Sequence, residues 1–165
     1  MPLNDIDLLT IERGAVTAPA GCGKTHLIVE AINRHSGNKP ILVLTHTNAG
    51  VAALRERLDR VGVSSKSYRL STIDGWAMRL ISIFPRRSDH DPKILRMMAP
   101  ASDYQKVRYA AASLLEAGHL NDILAANYAR LIVDEYQDCS TLQHAIAAYI
   151  AEVLPTCVLG DPMQA

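Results

Sequence analysis

Hydrophobic positions along this chain fall into two alternating rhythms. Short unbroken apolar runs, Gly14–Thr17, Ile41–Leu44, Arg130–Val133 and Cys157–Leu159, read as strands buried on both faces, and Ser67–Leu70 reads as a further strand. Between them apolar residues recur at helical spacing. His26–Arg34 is such a stretch, closed by Gly37. A second follows Thr47 or Asn48, either of which can cap it, and sets Val51, Leu54, Leu58 and Val61 on one stripe. Helices are also predicted over Ile73–Ile83, over Ser102–Ala117 with Ser102 as cap and Gly118 as stop, over a shorter His119–Ala126, and over Ser140–Val153. Pro85–Pro100, charged and proline-containing, reads as a loop or irregular insert. Strands alternating with helices imply an α/β fold with a parallel sheet flanked by helices. No repeat or low-complexity tract interrupts the pattern.

Composition adds bounds. A length of 165 residues suggests one domain, and 48% hydrophobic with 21% charged residues is an ordinary globular balance. No apolar run reaches the roughly 18 residues that cross a bilayer. The first ten residues carry Asp5 and Asp7 and no basic cluster, so no signal peptide is expected. Cys22, Cys139 and Cys157 lie far apart, which fits reduced thiols in a cytoplasmic protein better than a disulfide or zinc framework. Net charge is zero but unevenly spread. Arg55–Arg87 holds eight basic residues against Glu56, Asp59 and Asp74, a local excess of five. Such a stretch is either a solvated face or one turned toward an anion.

The chemistry begins at Ala18-Pro19-Ala20-Gly21-Cys22-Gly23-Lys24-Thr25, after a predicted strand and before a predicted helix. Glycines there let backbone N–H groups turn toward phosphate oxygens, and the helix N-terminus favours negative charge. Lys24 is placed to reach the β- and γ-phosphates of a nucleoside triphosphate, and the Thr25 hydroxyl to ligate Mg²⁺. The strict P-loop pattern opens on Gly; this one opens on Ala18. Asp134-Glu135 follows another apolar strand, where α/β sheets hold ligands. Asp134 suits Mg²⁺, and Glu135 suits the orientation and deprotonation of an attacking water. Gly160-Asp161-Pro162-Met163-Gln164 comes third in this order, again after a strand.

With these segments in order, the chain resembles the superfamily 1 helicases of the UvrD/Rep type. Ala18–Thr25 is similar to motif I in its Ala-x-Ala-Gly-x-Gly-Lys-Thr form, and Ile41–Ala49 to motif Ia. Ser71-Thr72-Ile73-Asp74-Gly75-Trp76-Ala77 is similar to the Thr-Phe/Ile-His-Ser-Phe-Ala segment called Ib. Asp134–Asp138 resembles motif II and Gly160–Gln164 motif III. The likeness spans residues 14–165. It implies a RecA-like ATP-binding lobe that uses ATP and Mg²⁺, with a small helical insertion at roughly residues 79–129. It also implies that Gln164 contacts the γ-phosphate as part of the catalytic set, that Gln137 supports that network, and that single-stranded DNA is a partner. Thr45, His46, Thr47, Asn48, Thr72 and Trp76 are the DNA-facing candidates, since hydroxyls and amides bond phosphates and an indole stacks on bases. Trp76 is equally readable as a core ring, and His46 as an ordinary strand-end residue.

Three departures shape the expectation. The family's glutamine before motif I has no counterpart ahead of Gln105. Only about fifty residues separate Ib from II, so the family's helical subdomain is reduced. Motifs IV to VI, carried in the family by a second RecA-like lobe with its arginines, do not occur in these residues, and the chain reads as truncated after motif III. The lobe is therefore expected to bind nucleotide without unwinding DNA alone, since an arginine finger contributes ~10³–10⁵ in rate. Two other readings stay open: a DNA-stimulated ATPase of a nuclease or defence complex that does not unwind, and a catalytically silent nucleotide-binding fragment.

Overall fold

The computed structural model describes residues 6–19 and 21–161. Five strands, β1 (Arg13–Thr17), β2 (Ile41–Thr45), β3 (Tyr68–Thr72), β4 (Arg130–Val133) and β5 (Thr156–Gly160), form one sheet in the order β1-β5-β4-β2-β3. Every neighbouring pair is parallel. The α/β expectation holds. All five side chains of β2 are buried, which is why its sequence is apolar without alternation.

Side chains of successive strand residues point to opposite faces, so each central strand feeds two cores. Leu42, Leu44, Leu131 and Val133 enter the core shared with helices α3 (Ile73–Ile83), α5 (Pro100–Glu116) and α7 (Thr141–Ala151). Ile41, Val43 and Ile132 enter the other, with α1 (Lys24–Arg34) and α2 (Asn48–Val61). Two shorter helices complete the set, α4 (Pro85–Ser88) and α6 (Asn121–Asn127). At the chain's start, Leu8 is buried, and the guanidinium of Arg130 donates to the carbonyls of Leu8 and Ile11.

The region expected as an irregular insert is more ordered than its composition suggests. Pro85 starts α4, and Pro92–Arg96 forms a 3-10 turn capped by Asp91, with Ile94 sunk into the core. Helix α5 begins at Pro100 rather than at Ser102, because proline presets the first helical φ and needs no donor there. Ser102 therefore caps nothing; its hydroxyl donates to the Ala99 carbonyl, while the Asp103 carboxylate accepts the Ala99 N–H at 2.9 Å.

Three helices on one face are clamped by a polar cluster. Arg108 of α5 forms a two-point pair with Asp74 of α3 at 2.7 and 2.6 Å. Gln143 of α7, fully buried, donates to the same carboxylate at 3.1 Å. Its other amide end accepts the Ser140 N–H, and Ser140 returns a bond to the Gln143 N–H, closing a capping box on α7. The hydrogen bonds to Asp74, and then its charge, hold Arg108 above the ordinary guanidinium pKa against the effect of burial.

Strands β2 and β3 end alike. Thr47 caps α2 by accepting the Gly50 N–H, and Thr72 caps α3 by accepting the Gly75 N–H. A Cβ on Gly50 would fall 2.6 Å from Thr45 Oγ1, a hydroxyl at zero exposure. Gly50→Ala should therefore lower stability by about 1–2 kcal/mol, although Ala is worth up to about 1 kcal/mol over Gly inside a helix. In a Thr45→Ala background, which removes the contacts with Thr45 and leaves Thr47 Oγ1 at 3.3 Å, thermal melts should show the penalty shrink; an equal penalty in both backgrounds would show that Thr45 is not the obstacle.

Candidate nucleotide site

Parallel pairing brings the C-terminal ends of β1, β4 and β5 to one edge, and the sequence-predicted phosphate residues with them. Thr17 is level with Gly160, and the Ala18 N–H donates to the Gly160 carbonyl at 3.1 Å. Ala18 is buried and does not take a positive φ, so the position needs no glycine. Gly21 and Gly23 do: their φ values are +79° and +91°, which L side chains rarely adopt. A Cβ on either would meet no described atom within 4 Å beyond its chain neighbours, so it is the backbone angle, and not crowding, that calls for glycine. Cys22 between them is exposed, and its N–H reaches the Pro19 carbonyl at 3.3 Å.

Helix α1 has no side-chain cap, which leaves its first-turn N–H groups to be satisfied from outside the helix. Lys24 is 7% exposed, and its ammonium donates to the carbonyls of Ala18 at 2.6 Å and Pro19 at 3.2 Å. Thr25, half-buried, follows it on the first turn. Ala20 and Gln164 lie outside the described residues.

Asp134 extends β4, its N–H bonded to the Leu44 carbonyl, and is 5% exposed. Burial, then the neighbouring Glu135 charge, push its carboxyl from 3.8 to about 6, against the pull of Lys24 and Arg57. A buried carboxylate is a hard oxygen donor of the kind Mg²⁺ takes, and this one lies within electrostatic reach of Lys24. Glu135 turns away from the strand with φ +53°, an uncommon conformation for a non-glycine residue. Its carboxylate accepts from Gln137 Nε2 at 2.7 Å, while Gln137 Oε1 accepts the Asp161 N–H at 3.0 Å. Gln137 is thus a bridge between the loops after β4 and β5. Gly160 makes room for it: a Cβ there would lie 3.0 Å from Gln137 Oε1.

The DNA-facing candidates divide. Thr47, Asn48 and Thr72 gather at the C-terminal ends of β2 and β3, where Thr45 is level with Thr72. Thr47 and Asn48 are exposed, and His46 and Thr72 half-buried. Thr45 and Trp76 do not present the surfaces expected of them. Thr45 has zero exposure, and its hydroxyl and the buried His46 Nδ1 find no partner among the described residues. Trp76 is 6% exposed and belongs to the core that holds α5 and α7, its indole N–H directed at the Tyr128 hydroxyl at 3.5 Å. Sequence reading also missed Arg57, whose charge reaches Asp134, and the Gly160–Gln137 contact. Arg57 belongs to a run of alternating charges, and nothing local distinguishes it from Arg55 or Arg60.

The raised Asp134 pKa has a definite sign. The folded chain holds this proton more tightly than the unfolded chain does, so the group costs stability as pH rises from about 4 to about 6, and the cost is fully present above that. Asp134→Asn keeps the acceptor for the Glu135 N–H and removes the buried charge. It should raise stability at pH 7–8 by up to about 3 kcal/mol, at roughly 1.4 kcal/mol per tenfold in proton affinity. It should also flatten the pH dependence between 4 and 6 in denaturant melts. Mg²⁺-dependent nucleotide affinity of the unaltered protein should weaken below about pH 6, because the ligating form is the carboxylate. An affinity level from pH 5 to 8 by titration would exclude Asp134 as the ligand.

A comparison with curated proteins found no match. A family model described as an AAA domain matches residues 7–165, nearly the whole chain. With a phosphate loop at the end of β1, a carboxylate pair after β4 and a five-stranded parallel sheet beneath them, the chain belongs to this AAA domain family of P-loop nucleotide-binding proteins.

Proposed function

We propose that this chain is the ATP-binding lobe of a UvrD/Rep-like helicase, which moves 3′ to 5′ along single-stranded DNA at the expense of ATP. The observation that carries this reading is the Gln137 bridge. It ties the carboxylate of the candidate base to the backbone after β5, within an Asp-Glu-x-Gln-Asp form that favours UvrD/Rep-type motors over other superfamily 1 branches. Support also comes from Thr47, Asn48 and Thr72, which share the sheet edge with the phosphate loop and offer hydroxyl and amide groups of the kind that bond phosphodiesters.

Each residue then has one task. N–H groups of Gly21 to Thr25 bind phosphate oxygens, and Lys24 exchanges the Ala18 and Pro19 carbonyls for β- and γ-phosphate oxygens. Thr25 and Asp134 would hold Mg²⁺, which when bound offsets phosphate charge. Glu135 orients a water in line with the γ-phosphorus and takes its proton as the bond to the β-phosphate oxygen breaks. Gln164 contacts the γ-phosphate. A second RecA-like lobe is the partner that supplies the arginines completing hydrolysis.

Three measurements on the full-length protein test the reading. Lys24→Ala should weaken nucleotide binding at least about 100-fold, since it removes charge-assisted bonds to phosphate. Glu135→Gln should keep binding within a few-fold and cut turnover by about 10²–10⁴. Oligo(dT) should raise ATP hydrolysis at least tenfold, and a 3′-tailed duplex should be separated. Retained hydrolysis in the Glu135 variant would remove that residue as base. Stimulation without strand separation would reduce the proposal to a DNA-activated ATPase, and no stimulation would refute the motor reading.

A further inference from the structure

The loop that carries Glu135 is held by the helix after it at two points. Tyr136, next to Glu135, bonds through its hydroxyl to Nδ1 of His144 on α7. Ser140, at the loop's other end, shares the capping box with Gln143. Gln143 carries the path further: its Oε1 accepts the Ser140 N–H at 3.0 Å, and its Nε2 donates to Asp74 Oδ1 at 3.1 Å. Asp74 lies in the first turn of α3, the helix that Thr72 caps at the sheet edge proposed to meet DNA. One side chain thus spans from the helix that begins at that edge to the loop of the candidate base.

This path is polar where apolar side chains would also pack. Gln143 has zero exposure, and the core shared by α3 and α7 is otherwise built from residues such as Ile73, Ala77, Ile146 and Ala147. A buried amide costs stability unless both of its ends are bonded, and here both are. Its bonds fix direction and register, which apolar packing leaves freer. Charge adds a way to act on it. A phosphodiester bonded at Thr72 would stand two residues from the Asp74 carboxylate, at the same helix end. Like charges repel, so the anion would press Asp74 onto its donors, Arg108 and Gln143. Of these, Gln143 is the one that leads on to the loop.

We infer that the Asp74–Gln143–Ser140 path couples single-stranded DNA at the β3 end to the setting of Glu135, with Asp74 and Gln143 as positioning residues. The inference rests on the motor reading above and adds a route by which DNA raises turnover. Oligo(dT)-stimulated hydrolysis by the full-length protein tests it. Gln143→Glu keeps the capping box, which glutamate closes as well, but its carboxylate has no proton to donate to Asp74. DNA-free turnover and oligo(dT) affinity should stay within about twofold, while stimulation should fall at least about fivefold, the lower end of couplings between sites. Adding Asp74→Asn puts the donor on α3 and the acceptor on α7, and should restore stimulation to within about twofold. Gln143→Met breaks both ends of the path and should lose stimulation too; it decides the matter if thermal melts show Gln143→Glu unfolded. Full stimulation in a folded single variant, loss that Asp74→Asn does not restore, or an equal fall in DNA-free turnover would overturn the inference. Failure of both single variants to fold would make the cluster purely structural, which overturns it as well. An unaltered protein that oligo(dT) does not stimulate would instead remove the motor reading, and this inference with it.

Discussion

Everything at the active edge depends on all five strands running the same way. In a parallel sheet each strand delivers its following loop to one edge, so segments far apart in sequence arrive side by side without any contact between their side chains being needed first. The Ala18–Gly160 bond, the level pairing of Thr45 with Thr72 and the Asp134–Leu44 bond are three local expressions of that rule. Turn one strand over and its loop would leave from the opposite edge, taking either the phosphate loop or the carboxylates with it. The central strands secure the register by being buried on both faces.

The edge combines two kinds of polar order. At the phosphate loop, α1 has no side-chain cap, so its first-turn donors are not taken up by one. At β2 and β3, the following helices are capped by Thr47 and Thr72, so their first donors are partly spoken for. In the proposed reading, the contrast separates a site for a compact, highly charged triphosphate from a surface for an extended, singly charged backbone. Behind that surface, the Asp74–Arg108–Gln143 cluster joins α3, which starts there, to α7, which starts after the carboxylate loop. Rearranging either end means moving a half-buried carboxylate with three donors on it.

How much of this was legible beforehand varied with the range of the interaction. Strands, helix order and the phosphate loop were readable because each rests on local signals: unbroken apolar runs, 3.6-residue spacing, and glycines at fixed offsets. Even the unusual Ala18 was accommodated, and the geometry explains it through a normal φ and a buried methyl. Pro100 shows a local signal outweighed by a stronger one nearby, since Ser102 has a capping residue's chemistry but sits inside the first turn. Thr45 and Trp76 mark a deeper limit. Hydroxyl and indole groups read alike from sequence whether they face solvent or the core, and only packing decides. Asp74 and Arg108 are 34 residues apart and Asp74 and Gln143 69 apart, so no periodicity could pair them.

Glu135 closes the account from another direction. Its left-handed backbone is what lets two consecutive carboxylates diverge, one staying with the strand and the other swinging toward Gln137. A glycine would adopt that turn without strain, and an asparagine with less. The chain instead keeps a residue that fits the bend poorly, beside an aspartate whose charge burial opposes. Neither residue is the one that folding alone would favour, and in the proposed reading it is the reaction, rather than the architecture, that accounts for both.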